Sequence, residues 1–364
     1  AFAQSLNRIG DDVPTVKDSD YFRTAFNAVQ DLIKKDLLLA GHDISAGGLV
    51  TALLEMTFAN TEGGLDINLN GVKCDDIVKI LFAENPGVVI QVADKKCGEV
   101  KKFLEDAGVS FIKLGKPCEE RHILIEKDGS EYQLGIDYLR DVWYSTSYLL
   151  DKQQSFHGKA KERFENYKQQ PLEWNMLPGF TGKLGQYGLT PDRREKSGVR
   201  AAIIREKGTN GEREMAYMLY LAGFDVKDVM MTDLITGRET LDDINFIVFC
   251  GGFSNSDVLG SAKGWAGAIL YNEKAKEALD RFYARPDTLS LGVCNGCQLM
   301  VELGLVGKVA ENNCGKAKML HNDSHKFESN FVGVTVQTNR SVLMGSLSGS
   351  RLGIWVAHGE GKFQ

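Results

Sequence analysis

Cys294 lies in Leu291-Gly292-Val293-Cys294-Asn295-Gly296-Cys297-Gln298, a G-x-C-x-G sequence between an apolar strand and an apolar helix. Glycine on both sides lets the backbone fold sharply without Cβ clashes. This is the cysteine form of a nucleophile elbow, which holds a reactive side chain on a strained strand-to-helix turn. There the thiol faces a helix N-terminus, whose dipole and free N–H groups favour thiolate. The backbone N–H of Asn295 is placed to stabilise an oxyanion. Two other chemistries use the same residues. Cys294-x-x-Cys297 could be a redox pair, or half of a zinc site. A zinc site needs a second pair at ligand spacing, and the sequence has none. A redox pair does not need the flanking glycines. A buried structural cysteine is the default for an isolated residue, and the glycine frame favours the nucleophile over it.

A cysteine nucleophile needs a histidine and a group to orient that histidine. Of six histidines, the best placed is in Ile354-Trp355-Val356-Ala357-His358-Gly359-Glu360-Gly361. The apolar residues before it read as a strand, where side chains two apart share a face. His358 and Glu360 are then expected side by side, with Gly359 removing bulk between them and the carboxylate fixing one ring nitrogen. Taken alone, H-x-E is equally a surface pair at a strand end; with the elbow it becomes a triad of Cys294, His358 and Glu360. A second N–H donor is expected from Gly252, because Phe246-Ile247-Val248-Phe249-Cys250-Gly251-Gly252 ends a buried strand in two glycines. Glycines there let the backbone approach a ligand.

The elements that must position these residues follow from periodicity. From residue 199 strand and helix alternate: strands near 200–205, 226–231, 244–250 and 289–293, helices near 212–221, 275–283 and 296–303. That spacing indicates a parallel sheet with right-handed crossovers. Residues 1–150 mix the two types as α+β: helices over 17–36, 49–58, 76–82, 95–107 and 135–149, strands at 37–40, 65–69, 87–92 and 110–114, and a hairpin around Lys127-Asp128-Gly129-Ser130. His42-Asp43-Ile44-Ser45-Ala46-Gly47-Gly48 reads as a turn. Asp43 and Glu84 read as solvated carboxylates, and no residue set looks like a metal site. Residues 151–197 are polar, without sustained periodicity, and read as a linker draped over a domain that buries Trp174 and Phe180. The chain has 364 residues, with 43 Lys and Arg against 49 Asp and Glu, a net charge of −6 that argues against nucleic-acid binding. No apolar run reaches a membrane span. Seven cysteines, an odd number, fit a reducing, cytoplasmic setting better than a disulfide framework. With neither an initiator Met nor a visible leader, the chain is expected to be part of a longer one.

Gly-Val-Cys-Asn-Gly-Cys-Gln, Cys-Gly-Gly-Phe-Ser and His-Gly-Glu-Gly-Lys together resemble the class I (triad-type) glutamine amidotransferases. In that family a glutamine at the position of Gln298 helps hold the substrate. Asn322-Asp323-Ser324-His325-Lys326-Phe327-Glu328, Asp257-Val258-Leu259-Gly260 and Gly264-Trp265-Ala266 narrow the resemblance to the long single-chain phosphoribosylformylglycinamidine synthase family. Upstream, His42 to Leu49 and Leu81-Phe82-Ala83-Glu84-Asn85-Pro86-Gly87 resemble the end of that family's second synthetase-like half. The resemblance implies an α/β chain in three parts. Residues 1–150 would be an α+β domain of the aminoimidazole ribonucleotide synthetase C-terminal type, 151–197 a linker, and 198–364 a flavodoxin-like glutaminase domain. It implies release of ammonia from glutamine through a thioester. The ammonia would feed an ATP- and magnesium-dependent conversion of formylglycinamide ribonucleotide by the remaining domains of the polypeptide, while the hydrolysis itself needs no cofactor. The sequence departs from the family at Ala46, where an acidic residue is usual. It also departs in lacking the first synthetase half and the segment that follows the triad.

Overall fold

The computed structural model describes residues 1–10, 13–166, 172–306 and 317–364, in two units, Ala1–Asp151 and Lys152–Gln364.

In the first unit, Asp18 caps the helix Ser19–Lys34 by accepting from the N–H groups of Asp20 and Tyr21, donors the helix itself cannot satisfy. A four-stranded mixed sheet runs Gly115–Cys118, Gly64–Asn68, His122–Lys127, Ser130–Gly135, with only the central pair parallel. Its core joins Leu53, Leu69, Ile123, Ile125 and Ile136, all nearly inaccessible. Two expected strands are displaced. Leu37 does not begin a strand: Asp36 turns left-handed after the helix and Leu37 drops into the core beside Leu32 and Leu104. The strand is instead Ala40–Ile44, registered antiparallel to Gly87–Gln91, so His42 and Asp43 belong to a strand rather than a turn. Likewise 110–114 gives way to Gly115–Cys118, an edge strand that tolerates Pro117 because one side needs no donor. Glu84 is not merely solvated; it accepts from the Gly47 N–H at 2.8 Å, and this bond holds its carboxyl below the usual range.

In the second unit the parallel strands are β1 (Arg200–Arg205), β2 (Asp225–Met230), β3 (Phe246–Phe249) and β4 (Leu289–Gly292). Their order is β2-β1-β3-β4, all parallel, which is the flavodoxin-like order. The helices are α1 (Glu212–Leu221), α2 (Lys263–Leu270), α3 (Glu273–Ala284) and α4 (Asn295–Glu302). Trp265, Phe249, Phe282 and Leu299 fill one side of the sheet with almost no exposure. Helix α2 has no counterpart among the expected elements; its Lys-Gly-Trp-Ala-Gly-Ala run is too rich in small residues to show a clear period. Strands β5 (Met319–His321), β6 (Glu328–Thr335), β7 (Arg351–His358) and β8 (Glu360–Phe363) form two antiparallel pairs, β6 with β7 and β5 with β8.

Residues 172–197 of the expected linker lie on this unit, while 167–171 fall outside the described residues. Asn175 exchanges backbone hydrogen bonds with Arg351, and the Trp174 ring lies 5.7 Å from that of Phe331, yet Trp174 and Phe180 both stay exposed rather than buried as the sequence led us to expect. The linker is not structureless. Lys159–Glu165 is a helix, held by Lys159–Glu162 and Lys161–Glu165 pairs and by a two-pronged Arg163–Glu328 bond of 2.7 Å. Charge pairs rather than an apolar stripe sustain it, so apolar periodicity does not reveal it.

Candidate active site

Cys294 sits where β4 ends and α4 begins, as the residue capping α4, with φ 52° and ψ −111°. A non-glycine residue held there is strained, and such strain persists only where the surroundings over-determine it. Here they do. A Cβ on Gly292 would lie 2.6 Å from the Gly296 carbonyl oxygen and 2.7 Å from Met300 Sδ. A Cβ on Gly296 would run into the Phe249 backbone. Both glycines of the frame are therefore fixed by packing as well as by the turn. Cys294 is exposed, and its thiol donates to the Ala357 carbonyl at 3.4 Å, which brings the sulfur to the strand end that carries His358.

Asn295, wholly buried, braces the turn with its side chain. Its Oδ1 accepts from Ser254 N–H at 3.1 Å; its Nδ2 donates to the Asp257 carboxylate and to Gln298 Oε1. Its backbone N–H opens α4 and finds no acceptor among the described residues. The elbow is thus tied to the loop after β3, whose Asn255, Ser256 and Asp257 are all left-handed. That run was not foreseen; its signal is the Asn-Ser-Asp composition, whose side chains replace lost backbone bonds. In the same loop Gly252 has φ 121°, and a Cβ there would meet Thr209 Cα at 2.6 Å. Its neighbour Gly251 lies against Cys294, where a Cβ would be 3.2 Å from the cysteine Cβ. Gln298, also buried, donates through Nε2 to the Glu360 carbonyl at 2.7 Å and so joins α4 to β8.

The expected pairing of His358 with Glu360 is not what the structure contains. His358 ends β7 opposite Glu328, whereas Glu360 begins β8 opposite His321. Gly359 separates two ladders, so the rule that alternate residues share a face does not carry across it. The Glu360 carboxylate approaches His321 Nδ1 (3.7 Å) and Ser261 N–H (3.4 Å), and among the described contacts it makes no ion pair with His358. His358 Nδ1 lies instead 2.9 Å from Asn322 Oδ1. The glycine that makes room is also a different one. A Cβ on Gly359 would meet nothing within 4 Å, while one on Gly361 would fall inside the His358 ring's van der Waals envelope. Asn322 and Gly361 belong to segments quoted for the resemblance, but neither carried a role there; no side-chain period marks a residue that acts across strands.

Cys297 and Cys250 are less exposed than Cys294. Burial, then the neighbouring Cys294, raises the Cys297 thiol above its ordinary value. Burial drives Cys250 up to about 11. No disulfide joins the six described cysteines.

Residues 198–364 match the model of the CobB/CobQ-like glutamine amidotransferase domain, and residues 2–126 that of the AIR synthase related protein C-terminal domain. The probable phosphoribosylformylglycinamidine synthase of Arabidopsis thaliana, labelled chloroplastic/mitochondrial, is 39% identical over 370 residues, covering 100% of this chain and 26% of its own length. The phosphoribosylformylglycinamidine synthase of Homo sapiens is 38% identical over 387 residues, covering 99% of this chain and 28% of its own. The chain spans about a quarter of the curated relatives it matches. PurLQS from Thermotoga maritima, a solved structure, overlays 46% of this chain and 69% of its own at 27% identity, with a TM-score of 0.38. No helix among the described residues is long and apolar enough to cross a membrane.

Proposed function

The chain is homologous along its whole length to phosphoribosylformylglycinamidine synthases, with a CobB/CobQ-like glutamine amidotransferase domain at 198–364, and on that premise we propose that this domain hydrolyses glutamine to glutamate and ammonia. The observation that carries the reading is the strained Cys294 at the head of α4, its sulfur against the end of β7 and an unused Asn295 N–H beside it.

In this reading the Cys294 thiol gives its proton to His358 Nε2 and, as the thiolate, attacks the side-chain amide carbon of glutamine. The C=O π electrons move to oxygen, and the oxyanion is met by the N–H groups of Asn295 and Gly252. His358 Nε2–H gives its proton to the amide nitrogen, the C–N bond breaks, and ammonia leaves a thioester on Cys294. His358 Nε2 then takes a proton from water as the water oxygen adds to the thioester carbon. Collapse breaks the C–S bond and frees glutamate. Gln298 contributes by holding β8 to α4, and substrate contact is proposed for its remaining amide hydrogen. Glu360 supplies negative charge at the site rather than the orienting bond.

The ammonia is proposed to serve an ATP- and magnesium-dependent amidation of formylglycinamide ribonucleotide by other parts of the polypeptide. None of the hydrolytic steps needs ATP or a metal. Among the described residues no three His, Cys, Asp or Glu side chains gather in one group. A cytoplasmic setting is proposed from the free thiols alone.

The test is to incubate the chain with a γ-diazoketone analogue of glutamine and map the modified peptide, with ammonia release measured in parallel. Label confined to Cys294 and absent from Cys294→Ala is expected. Label on Cys297, or on no cysteine, refutes the assignment.

A further inference from the structure

The end of the linker, Arg193-Arg194-Glu195-Lys196, lies beside α1, and together with the start of β2 they line a cavity of about 630 Å³. That size suits a small organic molecule. From α1 come Arg213, Tyr217 and Tyr220, whose spacing of four and three puts them on one helix face. Part of the lining is fixed by the fold. The Arg193 guanidinium donates to the Asp225 carboxylate at 3.3 Å and to the Phe224 carbonyl at 2.6 Å, and it lies 4.9 Å from the centre of the Tyr220 ring. Asp225 also accepts from the N–H groups of Ser197 and Gly198. The Tyr220 hydroxyl reaches the Pro191 and Arg193 carbonyls. These bonds tie the linker end to α1 and β2, so the shape of the cavity is set before anything enters it.

The other side chains are uncommitted. Arg194, Lys196 and Arg213 make no ion pair or side-chain hydrogen bond among the described residues, and the one carboxylate that lines the cavity without such a bond is Glu195. Three cations thus meet one anion in a chain whose net charge is −6. A cleft lined mainly by one sign of charge concentrates ions of the other. Tyr217 stands among them, its ring stacked 6.5 Å from that of Tyr220 and 56% of its surface exposed. It keeps ring surface on which a further planar group can stack.

We propose that this cavity binds a nucleoside diphosphate, with Arg194, Arg213 and Lys196 on the phosphates and the base stacked on Tyr217. Guanidinium groups match phosphate oxygens in pairs, which a single carboxylate could satisfy for only one of them. Inorganic phosphate would leave Tyr217 unused, and an uncharged ring would leave the cations unused. A planar ring joined to several negative charges uses both. The cavity shares no residue with the Cys294 site, and the proposal is independent of the glutaminase reading.

The experiment uses the whole 364-residue chain with its tyrosine rings labelled with ¹³C. The Tyr217 ring signals are assigned by their loss in Tyr217→Phe. Adding ADP to the wild type should shift them along a saturating curve, and calorimetry gives the affinity beside it. Pyrophosphate should bind more weakly than ADP, and adenosine more weakly still. Arg194→Ala and Arg213→Ala should each weaken ADP about tenfold or more, since each removes a hydrogen bond between charged groups. Tyr217→Ala should weaken ADP about tenfold through lost stacking and leave pyrophosphate within about twofold. Tyr217 signals that stay still at millimolar ADP overturn the proposal on the wild-type chain, whatever the variants do. ADP binding undiminished in the Arg194→Ala, Arg213→Ala double variant places the nucleotide elsewhere and overturns it too. Pyrophosphate binding as tightly as ADP would make the cavity a plain anion site and refute the nucleotide assignment.

Discussion

Gly361→Ala isolates the geometry of the site with one methyl group. Gly361 has no positive φ, so alanine fits its backbone. The obstacle is the added Cβ, which would stand under 3.0 Å from Cε1, Nδ1 and Nε2 of His358 at once. Carbon atoms settle at about 3.5–4.0 Å, so the ring must retreat by roughly 1 Å. The Nδ1–Asn322 bond of 2.9 Å would then stretch out of range, and the ring would leave the place it holds at the strand end whose Ala357 carbonyl meets the Cys294 thiol. A misplacement of about 1 Å costs roughly a hundredfold in rate, or about 2.7 kcal/mol of barrier. Stability should change little, because Gly361 is half-buried and the strand is kept. Gly359→Ala is the control, since its Cβ meets nothing within 4 Å. The assay is the rate of Cys294 labelling by the diazoketone, with kcat for ammonia release and a thermal melt beside it. The reasoning expects a loss near a hundredfold at 361 and less than about twofold at 359, with both melts near wild type. Equal rates for the two variants, or greater damage at 359, would refute it.

Further outcomes follow from the same contacts. At pH 8 a general thiol reagent should modify Cys294 well before Cys297 or Cys250, whose thiols are raised by burial; peptide mapping over time reads the order. Asn295→Ala strands the buried Ser254 N–H and leaves the Asp257 carboxylate without its amide donor. A loss of about 3 kcal/mol is expected, a fall in melting temperature of roughly 6–12 °C, with Cys294 still reactive because the backbone donor remains. Asp225 is held below the ordinary carboxylate range, first by the Gly198 N–H and also by Ser197 and Arg193. Its contribution is therefore present above the unfolded pKa near 3.9 and lost as pH falls through the lower folded value. Urea midpoints of wild type and Asp225→Asn should differ at pH 7 and converge as the pH falls through the lowered range of this carboxyl; a constant gap would contradict this.

By itself the sequence determined the elements whose signals are local. The four parallel strands and the helices α1, α3 and α4 lie where short apolar runs and helical periods put them, because each is set by its own residues, while α2 shows no such period. The elbow is legible for the same reason, since Gly292, Cys294 and Gly296 are neighbours in the chain and their geometry is backbone geometry. The segment 110–114 shows the limit of that logic. It carries an apolar run, yet pairing begins at Gly115, because the partner strand sets the register. The helix at 159–165 shows another, being held by Arg163–Glu328, a bond across 165 positions. His358 and Glu360 show the limit at the site itself. Two residues apart in sequence, they enter different ladders, and only the tertiary structure brings Asn322 across 36 positions to His358. A hydrogen-bond partner supplied by another strand leaves no periodicity behind. A ring that needs Gly361 beneath it rather than Gly359 beside it depends on where two sheets meet, and tertiary packing alone decides that.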